Sequence, residues 1–239
     1  MAPNRRLRTV ALVGIDGSGK TTQAHRLAEE LAAQGLPARY RRNAGGRRWF
    51  GRLAAALGRR DGEELLGRRL MLFVESLLRW LAIVRTLLRR SVTREVAVMD
   101  RYASCQYASL RARGAGERTA RAAYRLFPRP DVTFLLAVDP AIAYDRIEAR
   151  AYDHEEMSYL HDLTAAYQSL PEYANFVVID ANGTPDEVSA ALHAELAAYQ
   201  EAPAPTARTF KANARTALLV GGPLAAAATA IGLQVAEAL

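Results

Sequence analysis

One cysteine, Cys105, stands in 239 residues. It excludes an intramolecular disulfide, leaves no thiol pair for a metal or redox site, and points to a reducing cytoplasm. Acidic residues are in deficit, 25 against 32 basic ones, for a net charge of +7. Much of the excess is arginine at Arg39, Arg41, Arg42, Arg47, Arg48, Arg52, Arg59 and Arg60, so partners should be anionic. No zinc-ligand spacing and no aromatic-interleaved basic motif accompanies these arginines, which argues against nucleic acid. A phosphate-rich substrate accounts for part of the cluster, and the rest reads as a solvated basic face. Internal repeats are absent. With 50% apolar and 24% charged residues, the chain is not disordered over most of its length, and its size suits one α/β domain with an appendage.

What is there alternates. Short β-branched runs at 9–13, 38–41, 95–99, 131–138 and 176–180 are separated by stretches with helical spacing at 20–34, 63–90, 103–126, 140–150, 157–170 and 185–199. Such alternation predicts a five-stranded parallel sheet covered by helices on both faces. The basic and apolar opening passes straight into a glycine-rich turn and reads as the first strand, not a leader. Pro140 and Pro185 fall where a first helical turn tolerates proline. The domain is expected to end near residue 200, followed by a Pro- and Ala-rich linker over 201–215 and an apolar helix over 216–239. The run 216–236 carries no charge and has bilayer length, but its Ala content and Pro223 weaken insertion. A helix docked on the domain or a partner is the favoured expectation, with membrane contact as the alternative.

The strongest signal is Gly14, Ile15, Asp16, Gly17, Ser18, Gly19, Lys20, Thr21, which fits G-x-x-x-x-G-K-[ST] between a strand and a helix. Backbone amides and the helix N-terminus would make an anion cup, with Thr22 beside it. Lys20 is expected to reach the β- and γ-phosphates of ATP, and the Thr21 hydroxyl to ligate Mg²⁺. A second constellation, Asp100 and Arg101, ends an apolar strand at the sheet edge where ligands gather. Asp100 would face the Mg²⁺ shell or the acceptor, and Arg101 would hold an acceptor phosphate. Arg146 and Arg150 share a helix face ahead of a segment that could close as a lid, bringing positive charge to the transferring phosphoryl group. The same spacing also suits intrahelical ion pairs. His154 is read as a surface residue.

GIDGSGKTTQ, DRYASCQYA, RPDVTFLLAVDPAIAYDRIEAR and FVVIDANGTPDEV together resemble the thymidylate kinase family over roughly the first 200 residues. The resemblance implies a P-loop three-layer fold, a nucleoside monophosphate acceptor (dTMP), ATP and Mg²⁺, dTDP as product, and a homodimer of packed helices. With Gly17 on the loop, it also implies a catalytic arginine supplied by the lid, for which Arg150, with Arg146, is the candidate. Substrate contacts implied are Asp16, Arg42, Phe73, Arg101, Gln106 and Tyr107. The sequence departs on the acceptor side. Arg42-Asn43-Ala44-Gly45-Gly46-Arg47 replaces an Arg-Glu-Pro-Gly-Gly-Thr loop, Leu77 stands at the usual acceptor-contacting arginine, and Arg79 comes two residues later, on another face.

Overall fold

The structure, a computed structural model, describes residues 7–60, 62–150 and 155–202. His154, most of the expected linker and the apolar tail lie outside the described residues. Among the described residues no helix is long and apolar enough to cross a membrane.

Strand β1 (Thr9–Val13) is buried along its whole length, as an unbroken apolar run between two helical layers must be. It lies at the centre of a five-stranded parallel sheet of order β2-β3-β1-β4-β5, completed by β2 (Ala38–Arg42), β3 (Val96–Asp100), β4 (Val132–Ala137) and β5 (Val177–Asp180). Leu12 is in register with Asp100 on one side and with Phe134 on the other, and Arg42 pairs with Asp100. Later strands thus fall on both sides of β1, and the crevice at its carboxyl end is the topological switch point where ligands bind in open α/β sheets.

The helices are α1 (Lys20–Ala33), α2 (Arg47–Ala56), α3 (Gly62–Leu66), α4 (Arg68–Thr93), α5 (Ala103–Ala112), α6 (Arg118–Tyr124), α7 (Pro140–Glu148), α8 (Met157–Ser169) and α9 (Pro185–Glu201). Both proline positions are helix starts. Asp139 accepts from the Ala141 amide ahead of Pro140, and Thr184 and Glu187 close a reciprocal capping box around Pro185.

Three sequence expectations need correction. The helix expected over 63–90 is two, broken at Gly67 (φ 78°), whose left-handed backbone a helix interior does not take, and the second runs on to Thr93. The helix expected over 103–126 breaks at Gly114 (φ 65°) into α5 and α6. Helix α2 was not expected at all. Its run GGRRWFGRLAAALGRR is short and arginine-rich with Gly51 in its middle, and its apolar side leaves Trp49 and neighbouring Leu57 more than half exposed.

Candidate active site

The loop from Gly14 to Gly19 joins β1 to α1 at the switch point. Two of its glycines are required sterically. Gly14 sits at φ 140°, where a Cβ would come within 2.6 Å of the Leu136 carbonyl oxygen, and Gly17 sits at φ 83° directly against the Ala143 carbonyl of α7. Position 17 therefore accepts no side chain, and an arginine on the loop is excluded by packing. Ile15, Ser18 and Lys20 are buried, while Thr21 and Thr22 are exposed on the first turn of α1.

The Lys20 ammonium folds onto the loop. It donates to the Ile15 carbonyl and to Ser18 Oγ at 3.2 Å, and stands 3.8 Å from Asp16 Oδ1. Burial, then the nearby Arg101 charge, lowers its pKa to about 8 against the opposing pull of Asp16 and Asp100. Arg101 pairs with Asp16, which raises the guanidinium pKa further and keeps it a permanent cation.

At the end of β3, Thr21 Oγ1 donates to Asp100 Oδ2 at 2.7 Å and Tyr40 Oη donates to the same oxygen at 3.1 Å. Asp100 Oδ1 is buried with no hydrogen-bond partner among the described residues. A lone buried carboxylate oxygen beside a threonine hydroxyl suits a hard divalent cation that takes most of its ligands from phosphates and water. Among the described residues no cluster of three or more His, Cys, Asp or Glu side chains forms an all-protein metal cage.

Arg101 holds φ 78°, a left-handed backbone that a long side chain adopts only when its surroundings impose it. The imposition is visible. Its amide donates to the Leu12 carbonyl at 3.1 Å, and its carbonyl accepts from Asn43 Nδ2 at 2.9 Å. Asn43, fully buried, donates its own amide to the Asp100 carbonyl at 3.0 Å, and Thr86 Oγ1 donates to Asn43 Oδ1 at 3.0 Å. The loop residue that departs from the family pattern is thus a brace for the Asp-Arg corner.

On the acceptor side the helix register differs from expectation. The face of α4 turned to the loop carries Glu75 and Arg79: a Cβ at Gly45 would collide with Glu75 Cγ and lie 3.3 Å from Arg79 Nη2. Both side chains are buried and 3.0 Å apart. Arg79 also donates to Gln106 Oε1 at 2.9 Å, and Arg113 to Glu75 Oε2 at 3.1 Å. Phe73, expected to stack on a base, instead lines a small cavity against α6 with Leu77, Trp80 and Tyr124. Tyr107, expected among the acceptor contacts, is taken up by α6 as well: the Arg121 guanidinium lies 4.3 Å from its ring centroid and Tyr124 meets it edge-on. Of the acceptor residues expected on α4 and α5, only Gln106 joins this network.

The two lid arginines separate. Arg146 donates to the carbonyls of Ala181, Asn182 and Gly183 at 2.8, 3.0 and 2.9 Å, clamping the turn between β5 and α9. These contacts hold the Arg146 side chain on backbone oxygens in this structure. Arg150 lies exposed just past α7, at the border of the described residues. The Arg42 side chain is exposed at the end of β2. Tyr40, Asn43 and the Glu75–Arg79 pair had no motif to announce them. The one available signal was an acid and a base four apart in the stretch of α4 from Leu70 to Val84, which carries no other charge.

The family model described as thymidylate kinase matches residues 12–192. A probable thymidylate kinase of Archaeoglobus fulgidus is 30% identical over 182 residues, covering 75% of this chain and 89% of that protein. A probable thymidylate kinase of Pyrobaculum aerophilum is 30% identical over 183 residues, covering 76% and 92%. The thymidylate kinase of Xanthomonas euvesicatoria pv. vesicatoria is 33% identical over 224 residues, covering 89% and 94%.

Two predictions follow from this geometry. Asn43→Ala removes the donor to the Arg101 carbonyl inside the fold and should lower stability by about 2 kcal/mol in urea unfolding, with an unchanged m-value. Phosphates in the cup would raise the Lys20 pKa above its free value of about 8. Tripolyphosphate binding should therefore take up close to one proton near pH 9 and almost none at pH 6.5 from this group, since Lys20 is already protonated there. Calorimetry in buffers of different ionisation enthalpy reads the uptake, which Lys20→Met should abolish.

Proposed function

The chain belongs to the thymidylate kinase family and is a nucleoside monophosphate kinase; from that premise we propose that it transfers the γ-phosphoryl group of ATP to dTMP, giving dTDP and ADP, with Mg²⁺. The observation that carries the reading is the junction of the phosphate loop with the end of β3. There the Thr21–Asp100 hydrogen bond and the Asp16–Arg101 pair bring a donor-phosphate cup and a fixed cation together.

Thr21 and Asp100 would hold Mg²⁺, which supplies positive charge at the β- and γ-phosphates when bound. The loop from Gly14 to Thr22 cradles those phosphates through its amides, and Lys20 neutralises them. Arg101 has its main chain held by Leu12 and Asn43 and its guanidinium held by Asp16, so it meets the acceptor phosphate with part of its ordering cost already met. An acceptor phosphate oxygen then bonds to the γ-phosphorus as the bond to the bridging oxygen breaks. Asp16 gives up its hold on Arg101 as substrate arrives. Arg150 adds charge to the transferred group from the lid side, a part that Gly17 cannot take because no side chain fits there.

The Arg79–Gln106 contact supports a pyrimidine with ring carbonyls. Because Oε1 of Gln106 accepts from Arg79, its buried Nε2 is left as a donor without a partner among the described residues, and a thymine carbonyl would satisfy it. A second reading, another monophosphate as acceptor, is favoured by the turning of Phe73 and Leu77 toward α6.

The proposal extends to a homodimer through α4. Leu70, Val74, Leu81 and Leu88 follow one another at helical spacings of four, seven and seven, as residues of one packing seam do. Leu70, Leu81 and Leu88 are 41, 47 and 60% exposed. A second copy related by a two-fold axis would cover this stripe. A cytoplasmic location rests on the single cysteine, and attachment through the tail on sequence alone.

In a panel of nucleoside monophosphates with ATP and Mg²⁺, dTMP should give the highest kcat/KM. Lys20→Ala and Arg150→Ala should each lower turnover by about a thousandfold, the latter with little change in ATP affinity. Preferred turnover of a different monophosphate would establish the second reading. In sedimentation velocity the wild type should run as a dimer and the Leu81→Glu, Leu88→Glu double variant as a monomer.

A further inference from the structure

Tyr40 lies on the edge strand β2, outside every motif that marks the site. Its ring is covered by His25 of α1, with centroids 3.6 Å apart and planes 22° from parallel. His25 follows Thr21 by four residues, so both occupy one face of α1. That face meets Asp100 twice: directly through Thr21 Oγ1 at 2.7 Å, and through the stacked ring of Tyr40, whose Oη donates at 3.1 Å.

The two hydroxyls converge on a single oxygen, Oδ2, and leave Oδ1 buried and without a hydrogen bond among the described residues. An isolated carboxylate would not stay so. Lys20 and Arg101 both feel the Asp100 charge, and a turn about the Cβ–Cγ bond would let a carboxylate share either cation. Two donors on one oxygen, arriving from different elements, oppose that turn.

We propose that Tyr40 is a positioning residue: with His25 stacked on its ring, its hydroxyl fixes the Asp100 carboxylate so that Oδ1 is presented to the divalent cation accompanying the nucleotide. The inference rests on the kinase reading for the identity of that cation. The phosphate loop and the start of α1 contribute Thr21 to this arrangement, but the orientation of the acid comes from an edge strand outside them. The relevant atoms form one chain of contact from His25 through Tyr40 and Asp100 to Thr21.

Tyr40→Phe keeps the ring and its stack and removes only the hydroxyl. Calorimetric titration of ATP should give equal affinity for wild type and variant without metal, within twofold, while the Mg²⁺ concentration that half-saturates the nucleotide complex rises about tenfold, the equivalent of one charge-assisted hydrogen bond. In turnover, kcat should fall with the acceptor KM unchanged. In an Asp100→Asn background the same substitution should change neither quantity further, because the effect passes through the carboxylate. An unchanged Mg²⁺ midpoint in Tyr40→Phe would overturn the proposal, as would an equal loss in the Asp100→Asn background. If the wild type phosphorylates no nucleoside monophosphate, the kinase reading fails on its own, and the metal-dependent binding comparison still decides the role of Tyr40.

Discussion

The Asp100 carboxylate is 2% exposed, and a charge so placed must be compensated from its immediate surroundings. Its compensation defines the site. Thr21 ties it to the phosphate loop, Tyr40 to the edge strand, and Lys20 and Arg101 supply positive charge on the side of the crevice. The partners come from three segments: the start of α1, which gives both Lys20 and Thr21, the middle of β2, and the residue after β3. The sheet order makes this possible, since β3 lies between β1 and β2 and its end is reached by both. The same burial that makes the carboxylate costly alone makes each of its contacts strong in place.

Next to it, Arg101 is held by its main chain. The Leu12 carbonyl and Asn43 Nδ2 grip its amide and carbonyl, and Asn43 is in turn held by Asp100 and Thr86. This closed circuit keeps a positive φ at a long side chain without glycine. It also explains how an acceptor loop without the Glu, Pro and Thr of the family pattern still supports the Asp-Arg corner: buried Asn43 satisfies groups at the end of β3, on the residue after it and on α4 at once.

The acceptor wall is built differently from the phosphate side. Glu75 serves two guanidiniums, from Arg79 on its own helix and Arg113 beyond α5, all three with side chains nearly inaccessible to water. One carboxylate between two guanidiniums in a dry setting is held by mutual need: removal of Glu75 would leave the buried Arg79 guanidinium without its carboxylate. The network orients Gln106 and lets Gly45 pack against the helix, so the register of α4 decides which chemistry an acceptor meets. The lid side shows the same economy of space. Gly17 abuts the Ala143 carbonyl, and Arg146 of the same helix is consumed by three backbone oxygens, leaving Arg150 as the arginine at the edge of the segment.

Sequence alone determined the five strands, the phosphate loop and the Asp100–Arg101 corner, because each is local: apolar runs of strand length, glycines, a lysine and a hydroxyl at set spacing signal their own structure. The capped starts of α7 and α9 were legible for the same reason. What only the tertiary structure decided lies in contacts between distant segments. The face of α4 that meets the loop could not be read from periodicity, since its middle from Leu70 to Val84 is apolar on several sides and both Phe73 and Arg79 had a side to face. Tyr40 and Asn43 are ordinary residues until β2 pairs with β3, at which point a phenol and an amide fall beside Asp100 and Arg101. Arg146 and Arg150 are equivalent by spacing, and they differ because one stands over carbonyls of the turn after β5, more than thirty residues away in sequence. Local pattern names the groups that can do chemistry; long-range packing chooses which of them are aimed and which are spent on the fold.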